Sequence, residues 1–97
     1  MVIVSKKPDL HLVLPLKNDS SNVIKLWLEP SCEYFSVESG QNVTVHALLR
    51  KLDEDAKQYS FTIAPNDSCF VIYAPGDLSE FVECYVVADN GIRLTPD

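Results

Sequence analysis

Ninety-seven residues, 46% hydrophobic and 23% charged, with three glycines and six prolines, describe one ordinary globular domain. They exclude the disordered, collagen-like and low-complexity classes. Eight basic residues against fourteen acidic ones leave a net charge of −6, which argues against nucleic acid or an anionic membrane as partner, since both require a basic footprint.

Residues 1–9 show no charged region followed by a long apolar stretch, so no signal peptide is expected. No window approaches the ~18 apolar residues of a membrane-spanning helix, and the expected compartment is the cytoplasm. Apolar residues recur with a period of two almost throughout, the period of strands. His11-Leu12-Val13-Leu14 reads as a short strand closed by Pro15, with residues 1–9 before it as a frayed arm or an edge strand. Ile24, Leu26 and Leu28 share one face of the next run; Lys25, Trp27 and Glu29 share the other, and Pro30 ends it. Phe35 and Val37 then point inward. Ser39-Gly40-Gln41-Asn42 has turn composition, and Val43, Val45, Ala47 and Leu49 line the face that follows.

Residues 50–57, around Asp53-Glu54-Asp55, form the one charge-dense stretch and read as a solvated connection. Alternation resumes with Tyr59, Phe61 and Ile63 on one side. Cys69 to Ala74 is apolar on both faces, as in a central strand, and Pro75-Gly76-Asp77 breaks it. Val82, Cys84, Val86 and Ala88 form the inner face of the next strand, leaving Phe81, Glu83, Tyr85 and Val87 outward. Asn90-Gly91 predicts a type I′ hairpin folding Ile92-Arg93-Leu94 back, because both central positions of that turn need positive φ. Some seven or eight short, mainly antiparallel strands define an all-β fold, a small β-sandwich or partly open barrel, in a single domain without repeats or linkers.

The stretch from Ile24 to Ala47 resembles small, uncharacterised bacterial all-β proteins. In those, an apolar strand ends in Leu-Glu-Pro-Trp-Gly, a Tyr strand follows, then Pro-Gly-Glu and a strand of alternating valines. Leu28-Glu29-Pro30, Tyr34, Gly40 and Val43-Thr44-Val45 match, whereas Ser31 and Cys32 replace the Trp and Gly. Phe70 to Gly76 looks like a later strand and turn of the same type, and Asp89-Asn90-Gly91 like its final hairpin. The resemblance implies the small β fold and no assigned activity.

The odd set of Cys32, Cys69 and Cys84 is no closed disulfide framework, and Cys84 reads as a buried thiol. Three Asn-x-Ser/Thr sequons, at Asn18, Asn42 and Asn66, read as Asn- and Ser-rich turns. His11 and His46 have no ligand at metal-binding spacing, so neither a metal nor another cofactor is expected. His46 falls on a polar strand face. No nucleophile elbow or phosphate loop occurs, and Glu33 beside Cys32 would raise its thiol pKa, so no enzyme is expected.

What is left is surface. Trp27, Glu29, Tyr34, Phe81, Glu83 and Tyr85 combine rings and carboxylates in the composition of a protein-binding patch. A register error of one residue would swap faces, and Trp27 is as well suited to the core. The expected function is non-catalytic binding to another protein, by charge a basic one, as an inhibitor or immunity-type protein; the alternative is a small-molecule or carbohydrate-binding module using Trp27 and tyrosines for stacking. The sequence leaves the oligomeric state open.

Overall fold

The computed structural model describes residues 10–50, 59–66, 69–76 and 78–97. The expected arm at residues 1–9, the Asp53-Glu54-Asp55 stretch and Asp67, Ser68 and Asp77 of two turns lie outside these residues. Period-two alternation yields seven strands and, among the described residues, no helix: β1 (Leu10–Lys17), β2 (Ile24–Glu29), β3 (Glu33–Val37), β4 (Asn42–Leu49), β5 (Thr62–Pro65), β6 (Phe70–Tyr73) and β7 (Phe81–Ala88).

They form two sheets that do not close into a barrel. One has the order β1-β4-β7 and is wholly antiparallel; the other has the order β3-β2-β6-β5, with β2 and β6 parallel. The architecture is a small open sandwich. Leu26, Leu28, Phe35, Val37 and Ile72 of the wider sheet pack with Val43, Val45, Ala47, Cys84 and Val86 of the narrower one. Leu28, Leu49 and Ile72 are fully buried, each contributing about 1.5–3 kcal/mol by removal from water.

Several local expectations change. β1 does not stop at Pro15 but continues to Lys17; it is an edge strand, and Pro15, opposite Thr44, is tolerated there. The expected strand through Tyr59, Phe61 and Ile63 is shorter, since β5 begins only at Thr62. Phe61 packs against the core, but Ile63 is 45% exposed. β6 is central by pairing, between β2 and β5, yet Phe70 and Tyr73 are exposed. In β7 the register with β4 shifts: Leu48 faces Glu83, but Leu49 faces Phe81. This bulge turns Val82 outward and Phe81 toward the core, the reverse of simple alternation.

The Asn90-Gly91 hairpin forms, but not as a type I′ turn. Gly91 has φ +83, whereas Cys32 is the only non-glycine at positive φ among the described residues, so Asn90 has a negative φ. Gly91 N–H donates to the Ala88 carbonyl and Ala88 N–H to that of Ile92, each at 2.9 Å. That is the longer connection in which a left-handed glycine follows the turn as a bulge. Leu94 N–H then reaches the Val86 carbonyl at 2.8 Å, and Asp97 N–H the Tyr34 carbonyl at 2.8 Å, so the C-terminal segment ties β7 to β3 across the two sheets.

Asn18, 2% exposed, joins the β1–β2 loop to the β3–β4 turn. Its amide donates to the carbonyls of Asn22 and Val37 at 2.8 and 2.9 Å, and its oxygen accepts from the Ser20 amide and hydroxyl. Gly40 N–H completes the link to the Asn18 carbonyl at 2.8 Å. Every polar atom of this buried side chain is therefore matched.

Candidate functional site

Inward Leu26 and Leu28 force Lys25, Trp27 and Glu29 onto the outer face of the four-stranded sheet. Antiparallel pairing sets Tyr34 directly opposite Trp27, and the rings meet at 4.2 Å with a 56° tilt. Parallel pairing with β6 adds Tyr73 opposite Glu29. Trp27 is half-buried on this face, and Tyr34 and Tyr73 are 43% and 45% exposed. The open question about Trp27 thus resolves to the surface.

Glu29 organises the cluster. One carboxylate oxygen accepts the Trp27 indole N–H at 2.5 Å, and the other accepts the Cys32 thiol at 3.6 Å. Cys32 is exposed, at φ 56 in the β2–β3 turn that also contains the cis Glu29–Pro30 peptide. Partial desolvation and the Glu29 carboxylate hold its thiol pKa above the ordinary value. Nearby, Asp97 accepts from Lys25 at 2.9 Å and from Ser36 at 2.6 Å, and these donors lower its carboxyl pKa, the Ser36 bond most.

Glu83 and Tyr85 lie elsewhere, on the outer face of the three-stranded sheet. Tyr85 stacks on His46 at 4.8 Å with a 2° interplanar angle. Arg93 sits over Tyr85, 4.5 Å from its centroid, and forms an ion pair with Glu83. His11 Nε2 lies 2.7 Å from His46 Nδ1. Desolvation and His11 together lower the His46 pKa. The expected partner-binding residues therefore do not form one patch: Trp27, Glu29 and Tyr34 belong to one outer face, Glu83 and Tyr85 to the other, and Phe81 turns to the core because of the β7 bulge.

Sequence reasoning missed the His11–His46 pair because the two residues are 35 positions apart and only the β1–β4 register joins them. It also missed Glu80, a buried carboxylate that accepts the Tyr59 hydroxyl. Among the described residues no group of three or more His, Cys, Asp or Glu side chains gathers as a metal cage. An apolar cleft of about 270 Å³ opens between the sheets, lined by Leu16, Lys17, Ile24, Val37, Ile63 and Phe70 among others.

Fold and faces together define a small open β-sandwich with two differently furnished outer surfaces. Compared with protein-family models, curated proteins and solved structures, the chain matches none. No helix among the described residues is long and apolar enough to cross a membrane.

Proposed function

We propose that the chain is a non-catalytic protein-binding domain and that the Trp27–Tyr34–Tyr73 face meets the partner. The observation that carries this reading is the Trp27–Tyr34 pair: two packed rings on an exposed sheet face, with the indole N–H held by Glu29. Rings fixed in this way lose little freedom on association and suit the anchors that dominate interface energies. The net charge of −6 favours a basic partner, in keeping with an inhibitor or immunity-type role. A flat sugar platform is less well served by rings tilted at 56°.

A partner isolated with the intact chain should bind more slowly as salt rises, because exposed charges are screened beyond roughly 8 Å at physiological ionic strength. Glu29→Gln keeps an oxygen for the indole N–H but removes the charge, so it should slow association. Trp27→Ala and Tyr34→Ala should instead shorten the lifetime of the complex. A complex indifferent to all three substitutions overturns the reading. The second reading, a small-molecule module, draws support from the apolar cleft; there, binding of an aliphatic ligand would respond to Phe70 and Ile63 and not to Trp27.

A further inference from the structure

We infer that His11 and His46 form a bidentate site for a borderline divalent transition ion such as Zn²⁺, on the outer face of the three-stranded sheet. It lies on the face opposite the Trp27 cluster and stands independently of the proposed function.

The geometry comes from register. His46 on the central strand β4 faces Val13 of β1, and His11 lies two residues before Val13, so the imidazoles are diagonal neighbours on one side of the sheet. Nε2 of His11 points at Nδ1 of His46 across 2.7 Å, with ring centroids 5.0 Å apart. Without an ion, one shared proton makes this a hydrogen bond between two imidazoles. Two nitrogens each about 2.0–2.1 Å from a tetrahedral or octahedral ion stand about 2.8–3.4 Å apart. Small rotations of the rings provide that separation with the backbone pairing intact.

One imidazole of the pair is braced by a ring stack. His46 lies flat on Tyr85, Tyr85 lies under Arg93, and Arg93 is paired with Glu83, so the ring plane is fixed from one side. Glu83 also offsets the charge of Arg93. Ligation takes the neutral imidazole, so binding competes with protonation. Imidazole suits Zn²⁺, Ni²⁺ and Cu²⁺, and water takes the positions that the protein leaves open. Once one imidazole is bound the second acts intramolecularly, which distinguishes the pair from any single surface histidine.

The test uses the full chain with Cys32→Ser, because an exposed thiol also ligates zinc, whereas Cys69 and Cys84 are buried. Zinc chloride is titrated near neutral pH while the imidazole nitrogens are followed by NMR. Both histidines should shift together and saturate at one ion per chain. His11→Gln, at an exposed position on an edge strand, should weaken zinc binding by about thirtyfold or more with a native amide spectrum. His46→Gln should do the same. Acidification to about pH 5.5 should release the ion as protons displace it. A shift confined to one imidazole, or affinity in His11→Gln within about threefold of the parent, overturns the site and leaves a hydrogen-bonded pair that only braces β1 on β4.

Discussion

The two sheets use the same alternation to different ends. The three-stranded sheet has strands of eight residues, all antiparallel, and its outer face is knit together by His11, His46, Tyr85, Arg93 and Glu83. The four-stranded sheet has strands of four to six residues, includes a parallel pair, and is one strand wider than the sheet opposite. Its inner side is therefore incompletely covered: Ile63 faces Ile72 across the β5–β6 pair, yet Ile63 is 45% exposed and Ile72 only 1%. Alternation decides which way a side chain points. The width of the facing sheet decides whether it is buried.

The sharpest way to break this comparison is to truncate both isoleucines. Ile72→Ala should cost about 2–5 kcal/mol in urea unfolding, from lost burial and an unfilled cavity. Ile63→Ala, on the same inner side, should cost well under about 1 kcal/mol, as exposed substitutions do. Equal losses would mean that the β5 end is covered as fully as the centre.

Cys84 and Cys32 extend the contrast from packing to reactivity. Burial, with Glu33 and Glu83 adding to it, pushes the Cys84 thiol up to about 11. A thiol reagent should leave Cys84 and the buried Cys69 unmodified in the native chain and reach both on unfolding. Cys32, exposed but held above its ordinary pKa beside Glu29, should react in the native state, and faster in Glu29→Gln. Cys84→Ser should cost about 1–3 kcal/mol, because no assured partner awaits a buried hydroxyl. Native-state labelling of Cys84 would place it outside the core.

A smaller effect separates the two readings of the final hairpin. Gly91→Val should destabilise by about 1–2 kcal/mol from left-handed strain alone, since a Cβ there meets no atom within 4 Å. Asn90→Gly should not stabilise, because Asn90 has a negative φ; a type I′ turn would predict a gain.

These cases show what the sequence could and could not disclose. Core positions of β2, β3 and β4 were legible because alternation there runs unbroken from turn to turn. Phe81 and Val82 were misassigned because a bulge reverses the phase of β7, and a bulge leaves no local signature in Phe-Val-Glu-Cys. Glu29 and Trp27 were recognisable as outward-facing once Leu26 and Leu28 were inward. Their separation from Glu83 and Tyr85 was not, since it depends on which sheet each strand joins. The His11–His46 contact has the same origin: pairing across 35 residues is a property of topology, invisible to any local spacing rule.

The smallest expected effect is a pH dependence confined to the three-stranded sheet. His46 has a pKa below its ordinary 6.5 in the folded chain, through desolvation and the proximity of His11. As pH falls below 6.5 the unfolded chain takes up a proton at this position before the folded chain does, so stability declines until the lower folded value is passed. Tyr85 lies against the ring, and the carboxylate of Glu83 beside it is already paired with Arg93. Asp97, with a lowered carboxyl pKa, acts in a separate window: its contribution is present above its ordinary 3.8 and is lost only as pH falls through the lower folded value. Unfolding midpoints measured in metal-free buffer from about pH 7.5 to about 5.5 should therefore decline less in His46→Gln than in the parent. An identical decline in the two chains would show that the imidazole pair accepts a proton as readily folded as unfolded, and that the outer face of the three-stranded sheet is electrostatically as open as the Trp27 face.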